Sequence, residues 1–315
     1  MDHPGHRSSH TVAVPRTGGL AILLGIFIAA IVFGEFTFPF ILGLASAAII
    51  AGISLLDDVV TIPSGPRLIV HLVVAGVVIW LANLELTDFG LPYVSMHLPQ
   101  WVGLIVAALF VAGFVNFFNF MDGINGIGSA QGIIGGLGLA GLLLLGGGQN
   151  SVIIAVALAG ACAGFLPHNF PKARLFMGDS GSTILGYILA SLTLVGANRT
   201  GLPWLAFALP LAIFLYDALF TLAKRALRGE NVAKPHREHH YQLLIRSGWS
   251  HTRTTLLQSA LMLLCTGGAF AYALGDNAVR LSVLCGLLAV GGCYSVLVHR
   301  YFALHRQDLP EAAQT

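Results

Sequence analysis

About ten apolar runs, each close in length to the thickness of a bilayer, most constrain what this 315-residue chain can fold into. A helix needs roughly 20 mainly apolar residues to cross a membrane. Only 10% of the chain is charged, against about 25% in soluble domains. The runs lack the roughly ten-residue alternation of a membrane β-barrel. They predict an all-α, polytopic membrane helix bundle of about 10 transmembrane helices, in a single domain over residues 1–315. The runs lie roughly at 19–35, 39–56, 68–84, 101–119, 128–146, 151–167, 181–197, 203–223, 254–274 and 279–299.

The distribution of positive charge predicts how the bundle is oriented. If the N-terminus is cytoplasmic, 14 of the 16 Lys and Arg residues fall in tails or loops on the cytoplasmic side, and only Arg199 and Arg280 fall on the other side. Cytoplasmic loops of membrane proteins carry such an excess of Lys and Arg. We therefore expect both termini to be cytoplasmic. The first 18 residues are polar, so no cleavable signal peptide is expected.

Other features of the sequence favour packing rather than chemistry. The four cysteines lie in apolar runs, and we expect them to be small buried packing residues. Gly128, Gly132 and Gly136 fall four residues apart, a spacing that lets helix backbones approach closely. The longest polar segment, 224–253, is too short for a separate domain. A formal net charge of +2 gives no indication of a nucleic-acid partner.

Four polar clusters interrupt the apolar runs, and each follows an even number of predicted crossings. Parity therefore puts all four on the same side of the membrane. Carboxylate, amide and imidazole groups brought together from separate loops favour metal-assisted chemistry on a charged substrate. The clusters lie at 56–59, 116–126, 176–182 and 236–240.

The first cluster contains the adjacent carboxylates Asp57 and Asp58 at the end of a predicted helix. They are either a charged stop, which the negative end of the helix dipole disfavours, or a pair that binds Mg²⁺ or a proton near a phosphate. Arg67 and His71 follow at the start of the next helix and, four residues apart, share a helix face beside the anions. The residues alone favour neither interpretation.

The second cluster places Asn116, Asn119 and Asp122 three residues apart, on one face of a helix. Amide and carboxylate oxygens are hard ligands suited to Mg²⁺. The glycines of the GING run at 123–126 then end the helix and offer backbone N–H groups to a ligand. A polar C-cap is the structural alternative. A cap does not need three polar residues in one stripe, so the pattern favours function.

The third cluster, GDSGS at 178–182, begins a predicted helix. Asp179 or Ser180 would make a good N-cap, but a helix N-terminus is also a phosphate site. Because a carboxylate repels phosphate, Asp179 fits such a site only with a divalent cation between the two.

The fourth cluster joins His236, Arg237, His239 and His240 to other basic residues. Zinc is disfavoured, because neither Cys ligands nor an HExxH spacing accompanies the histidines. Imidazole and guanidinium groups beside further cations are suited to phosphate oxygens, and a solvated basic loop is the alternative. Asp217, inside an apolar run, is either functional or a buried structural partner of an Arg. A proton-coupled membrane transporter that uses Asp217 and this loop is therefore a second hypothesis for the chain.

Together these motifs resemble the polyprenyl-phosphate N-acetylhexosamine-1-phosphate transferases (glycosyltransferase family 4) over nearly the whole chain. The resemblance implies transfer of a HexNAc-1-phosphate from a UDP-sugar to undecaprenyl (polyprenyl) phosphate, with release of UMP, as the first step of lipid-linked glycan synthesis. The histidine loop and the GWSH run at 248–251 resemble the branch that initiates O-antigen or capsule-type glycans. The motifs that carry the resemblance are PRTGG at 15–19, Asp57-Asp58, NxxNxxDGxNG at 116–126, FMGDSGS at 176–182 and the histidine loop.

The resemblance also implies roles for single residues. Asn119 and Asp179 would hold Mg²⁺ or Mn²⁺, with Asp122 close by. Asp57 would accept a proton from the lipid phosphate or position it, and Asp58 would support the site. Arg67 stands where the family often has Lys, and keeps the charge for a phosphate contact; His71 stands where it often has Gln. The residues implied to bind the substrates are Asn116, Asn125 and Phe176, the last two for uracil, and His236, Arg237, His239 and His240 for the diphosphate and sugar.

The resemblance further implies the surroundings of the protein. It would be a multi-pass protein of the bacterial inner membrane with its active site on the cytoplasmic face. Its partners would be a UDP-N-acetylhexosamine, undecaprenyl phosphate, the lipid bilayer and a second copy in a homodimer. The segment 2–10 resembles the loop that follows a first transmembrane helix in the family. The expectation is that the true start lies upstream or that this first helix is dispensable.

Overall fold

The regular structure of the protein is helical in the part of the chain that the structure describes. The computed structural model describes residues 14–60, 62–232, 234 and 236–305. The all-α class predicted from the apolar runs is confirmed within these residues. The helices are α1 (Gly18–Phe33), α2 (Phe38–Val60), α3 (Ser64–Ala82), α4 (Gln100–Met121), α5 (Ile127–Leu145), α6 (Gln149–Asn169), α7 (Gly178–Thr200), α8 (Trp204–Ala208), α9 (Ala212–Leu227), α10 (His240–Arg246), α11 (His251–Leu274) and α12 (Asn277–His305).

Nine helical segments of the described chain are long and apolar enough to cross a membrane. One of them, Trp204–Leu227, consists of α8, a 3-10 turn at Leu209–Leu211 and α9. The remaining predicted run, 19–35, forms α1, whose 16 residues are shorter and reach about 24 Å. The apolar runs are thus confirmed as the helices of a multi-pass membrane bundle. The expectations about the two termini and about the segment 2–10 lie outside the described residues.

Contacts between helix ends show that the four polar clusters share one end of the bundle. Asp58 at the end of α2 lies 3.2 Å from the backbone nitrogen of Asp179 at the start of α7. Asn119 at the end of α4 lies 3.1 Å from the same aspartate. Tyr241 of α10 bonds the Phe120 carbonyl of α4 at 2.8 Å. We call this the carboxylate end and the other the far end; the predicted parity is confirmed.

Helix α7 runs through the centre of the bundle. Its span is 83% buried, against 17% for α12 at the periphery. Small residues explain this position: a Cβ at Gly186 would lie only 2.9 to 3.2 Å from Val115 and its neighbours on α4. Such close approach is the usual packing of membrane helices, where small residues let backbones meet. It brings the start of α7 beside the ends of α2 and α4.

The glycines of α5 and the cysteines only partly follow the sequence prediction. Gly136 packs against Ala155 and Ala159 of α6, as the four-residue spacing indicates. Cys162 and Cys265 are buried, but Cys285 and Cys293 are exposed on α12. The prediction that all four cysteines are buried is therefore wrong for these two, because α12 packs against the bundle over little of its surface.

Candidate active site

Two carboxylates from different helices share the guanidinium of Arg67 at the carboxylate end. Arg67, at the start of α3, pairs through Nη1 with the carboxylate of Asp57 and lies 3.0 Å from Asp179 Oδ2. The backbone N–H of Ile62 donates to Asp57 Oδ1 at 2.6 Å. The Asp57 side chain is 6% exposed and that of Asp179 is 37% exposed. Asp57 is therefore held inside, whereas Asp179 faces the open end of the cluster.

Asp58 caps the N-terminus of α7 from a neighbouring helix. Its two oxygens each accept a backbone N–H, from Asp179 and from Ser180, both at 3.2 Å. A carboxylate stabilises the positive end of a helix dipole. Asp58 therefore fixes the position of Asp179. It also occupies two of the N–H groups that a phosphate at this helix end would use.

Asn119 and Asp179, the two implied metal ligands, are adjacent. The Asn119 amide donates through Nδ2 to Asp179 Oδ1 at 3.1 Å and to Ser182 Oγ at 2.8 Å. Asn119 Oδ1 takes no part in these two bonds. Ser182 belongs to the GDSGS run but was given no role from the sequence, although its position three residues after Asp179 places it on the same helix face.

The donor atoms fit a metal ion that takes some of its ligands from the protein and the others from the substrate. The described residues contain no group of three or more His, Cys, Asp or Glu that could hold an ion by themselves. Mg²⁺ is usually bound by one or two carboxylates together with phosphates and water. The oxygens of Asn119 and Asp179 match that requirement, and Asp57 and Asp58 add negative charge close by. These residues fit Mg²⁺ or Mn²⁺ carried with a diphosphate and do not fit an all-protein metal cage.

Asp122 ends α4 beside this group. Burial of its carboxyl raises its pKa to about 8; a hydrogen bond from the backbone of Gly128 opposes the shift, and the charge of Asp179 adds to it. A side chain at position 128 would collide with this carboxyl, so the close approach requires glycine. Gly128, assigned to helix packing from its spacing, therefore makes room for Asp122.

The loop that carries Asn125 is bonded on two sides. Asn125 Nδ2 donates to the Pro171 carbonyl at 3.1 Å, and its own carbonyl accepts from Thr255 Oγ1 at 2.8 Å. Its backbone N–H points to His251 Nδ1 at 3.4 Å. Asn125 is thus placed between the α6–α7 connection and α11.

Asn169 joins two of the motifs and was missed in the sequence. It accepts the backbone N–H of Gly126 at 2.6 Å and donates to the Leu175 carbonyl at 2.9 Å. The next residue, Phe176, is partly buried and pairs through its backbone with Pro15 and Gly18, at 2.8 and 3.0 Å. The PRTGG run therefore holds the segment before α7 in place. An amide at the end of an apolar helix was the available signal for Asn169.

His239 and His240 lie in the interior around Asp217. The Asp217 Oδ1 atom lies 3.2 Å from His239 Nδ1 and accepts the backbone N–H of His240 at 3.0 Å. His240 is fully buried, and its Nε2 lies 2.8 Å from Ser295 Oγ. Because no part of His240 is exposed, we assign it to support of the loop instead of the implied substrate contact. The partners of Asp217 are these two histidines and the Thr221 hydroxyl, which donates to Oδ1 at 3.2 Å, not the Arg that the sequence alternative named.

His236 and Arg237 are partly buried in the same loop. Burial lowers the pKa of His236 to about 4; His239 and Arg225 lower it further, while Glu238 and Asp217 oppose the shift. His236 is therefore neutral at pH 7. A neutral imidazole can still donate one N–H to a phosphate oxygen.

The basic residues around the histidines mainly organise the loop. The buried guanidinium of Arg225 donates to Glu230 Oε2 at 2.9 Å and to the carbonyls of Lys234 and Asn231 at 2.9 and 3.1 Å. Arg228 donates to both oxygens of Glu238, at 2.8 and 2.7 Å. The sequence did not distinguish these structural cations from ligand-binding ones.

The histidine loop packs on the end of α4, next to the carboxylates. The Tyr241 hydroxyl donates to the Phe120 carbonyl at 2.8 Å, and the Phe120 ring lies 6.5 Å from that of His239. Asn116, one turn deeper, donates instead to the carbonyl of Ala112 in its own helix at 2.7 Å. The structure therefore brings the loop and the carboxylates together but leaves Asn116 outside these contacts.

Comparison with known proteins identifies the family to which this site belongs. The sequence model described as Glycosyl transferase family 4 matches residues 40–197, about half of the chain. The chain belongs to glycosyl transferase family 4. The matched segment contains the Asp57-Asp58 pair, the α4 motif and the start of α7, so the family resemblance predicted from these motifs is confirmed.

Curated relatives within the family match most of the chain. A probable undecaprenyl-phosphate N-acetylglucosaminyl 1-phosphate transferase of Bacillus subtilis is 28% identical over 82% of this chain and 73% of its own length. A decaprenyl-phosphate N-acetylglucosaminephosphotransferase of Mycobacterium leprae is 30% identical over 81% and 72%. A phospho-N-acetylmuramoyl-pentapeptide-transferase of Staphylococcus saprophyticus is 27% identical over 76% and 78%.

Proposed function

We propose that the protein transfers a HexNAc-1-phosphate from a UDP-sugar to polyprenyl phosphate and so begins the synthesis of a lipid-linked glycan. Two relatives that match most of the chain are named for the transfer of an N-acetylglucosamine phosphate with undecaprenyl or decaprenyl phosphate. The observation that carries the proposal is the meeting of Asn119, Asp179 and the Asp57–Arg67 pair at one end of a family 4 membrane bundle. UDP-N-acetylglucosamine is the first donor to test, because two of these relatives are named for that sugar.

The chemistry requires alignment of two anions. An oxygen of the lipid phosphate attacks the sugar-side phosphorus of the donor, a new P–O bond forms, and the bond to UMP breaks. The second pKa of a phosphate monoester is about 6, so the attacking oxygen needs no strong base. Because Asp57 is held by Arg67 and by the Ile62 N–H, it positions the attacking phosphate through that pair. Arg67 brings positive charge to the oxygens of the two substrates.

Asn119 and Asp179 would hold Mg²⁺, which when bound neutralises the diphosphate and stabilises the departing UMP. Asp58 keeps Asp179 in place through its cap on α7. Asn125 and Phe176 hold the uracil, and His236 and Arg237 face the diphosphate and sugar. Asp217, His239 and His240 support the loop that presents them.

The carboxylate end is proposed to lie in the cytoplasm and the bundle in the bacterial inner membrane. The excess of Lys and Arg in the loops of that end supports this orientation. The acceptor enters from the bilayer, and a homodimer remains the expected assembly. A proton-coupled transporter is not favoured, because its ionisable groups would lie near the midplane, whereas Asp57, Asp58 and Asp179 lie at one end.

The test is release of UMP by the purified protein from undecaprenyl phosphate and a panel of UDP-N-acetylhexosamines, with and without EDTA. We expect lipid-dependent, EDTA-sensitive UMP from one donor. Asn119→Ala should abolish it. Asn198→Ala is the matched control, because Asn198 bonds its own helix through Leu194 at the far end of α7. Transfer that survives EDTA would contradict the metal assignment. Uptake of the UDP-sugar into vesicles that contain the protein, without UMP release, would contradict the proposed transferase activity.

A further inference from the structure

An apolar cavity of about 480 Å³ lies at the far end of the bundle, away from the active site. Its walls come mainly from α1, α2, α6 and α7, and apolar side chains such as Ile26, Leu44, Ile188 and Leu192 line its floor. A Cβ built at Gly43 of α2 meets no atom within 4 Å, so this wall faces open space. The cavity is large enough for part of a ligand and is not a packing defect of one side chain.

The lengths of the helices explain why this space exists. Helix α7 has 23 residues and α1 has 16, a difference of about 10 Å along the bundle. Hence α1 ends before it covers the part of α7 that lies at the far end. The cavity is closed toward the active site, because Tyr187 bonds Ser46 at 2.6 Å and Thr183 bonds Ser54 at 2.7 Å, joining α7 to α2.

The mouth of the cavity carries both signs of charge. Glu35 follows α1 and accepts from Asn150 Nδ2 at 2.8 Å. Arg199, near the end of α7, donates through Nη2 to the Ala82 carbonyl at 3.0 Å. Both side chains are exposed. A carboxylate and a guanidinium above an apolar floor complement an amphiphile whose head has an anion and a cation and whose tail is a hydrocarbon.

We propose that this cavity binds a zwitterionic aminophospholipid of the bilayer, with an acyl chain inside, its phosphate at Arg199 and its ammonium at Glu35. Arg is well suited to phosphate oxygens. A purely anionic headgroup would satisfy Arg199 but leave the Glu35 carboxylate facing a negative charge. This proposal does not depend on the transfer reaction, since the two sites are at opposite ends.

Native mass spectrometry of the detergent-purified protein tests the proposal. The protein is stripped of lipid and offered phosphatidylethanolamine or phosphatidylglycerol in parallel. We expect phosphatidylethanolamine to bind about tenfold more tightly, the effect of one charged contact. Gly43→Leu fills the cavity and should abolish retention. Gly52→Leu is its control, because Gly52 is on the same helix, is exposed and also meets no atom within 4 Å.

A second pair of variants tests the headgroup independently of cavity filling. Arg199→Gln should weaken phosphatidylethanolamine binding about tenfold. Arg280→Gln should not, since Arg280 is also a far-end arginine bonded to a carbonyl, that of Tyr272 at 3.1 Å, but lies outside the cavity lining. Equal binding of the two lipids, or unchanged retention in Gly43→Leu, would overturn the proposal. So would a disulfide-linked dimer formed by Glu35→Cys but not by the wild-type protein, since it would place a second copy of the chain over the mouth.

Discussion

The cluster of Asp57, Arg67 and Asp179 at the carboxylate end and the histidine loop contain similar residue types but use their charges differently. At the ends of α2 and α7, Asp57 and Asp179 share Arg67, and Asp179 is left 37% exposed. In the loop, each Arg225 nitrogen is bonded to loop atoms, and the Arg225 side chain is only 5% exposed. The cluster at the carboxylate end leaves an acidic side chain accessible to a ligand, whereas the cation of the histidine loop is used to hold the loop backbone in place. Variants of the first should therefore affect turnover, and variants of the second the order of the loop.

The largest effect is expected for Asp179→Asn. It removes the negative charge of a metal ligand but keeps the size of the side chain, so UMP release should fall by about 10³-fold or more. The thermal unfolding midpoint should change little. Asp276→Asn is the matched control, because Asp276 is a far-end aspartate that accepts a backbone N–H, from Val279 at 2.9 Å. Near-normal turnover of Asp179→Asn would show that the open carboxylate is not part of the chemistry.

A smaller loss of turnover is expected for Arg67→Lys. Lysine keeps the positive charge but cannot reproduce the geometry of a guanidinium between Asp57 and Asp179. We expect turnover to fall roughly tenfold in Arg67→Lys, about the contribution of one charged hydrogen bond. The loss in Arg67→Gln should be much larger, because the positive charge is removed as well. The measurement is kcat and KM for the UDP-sugar. Equal losses in the two variants would mean that charge at position 67 is not what matters.

Arg225→Met should lower stability more than it lowers kcat. It leaves Glu230 and two loop carbonyls without their buried donor, a change that costs about 2 kcal/mol or more. The thermal midpoint and the rate of proteolysis within the loop would measure this. The control is Arg228→Gln, whose side chain is 41% exposed and which should stay close to wild type. If both variants behaved alike, the loop would not depend on its buried guanidinium.

The smallest effect is expected for pH acting on His236. Its pKa is lowered from 6.5 to about 4 in the folded protein, so between these values the unfolded loop binds a proton that the folded loop does not. Loop stability is therefore complete above about pH 6.5 and decreases as the pH falls toward 4. Hydrogen exchange of the loop amides at pH 7.5 and pH 5 measures the change. In His236→Asn the contribution should disappear; a loop that becomes more protected at low pH would contradict the assignment.

The sequence predicted at which face of the membrane the functional residues lie better than it predicted which residues they contact. Asp58 and Asp179 were both placed at the same face by counting crossings, but the cap that Asp58 makes on α7 joins residues 121 positions apart. Similarly, His240 was grouped with His236 because the two are neighbours in a basic loop, yet it is fully buried against Ser295. Spacing along a helix determines which side chains share a face, but not what packs against that face.

What the sequence by itself determined are the apolar spans, the shared side of the four clusters and the family, because length, hydropathy and motif order are properties of the chain. Only the tertiary structure decided which polar groups are accessible to a ligand and which already bond a helix end or a loop within the protein. It also decided that a cavity remains beside α7, since α1 ends short of it. The physical reason is that the rotation of each helix about its axis, and its distant neighbours, follow from packing the whole bundle.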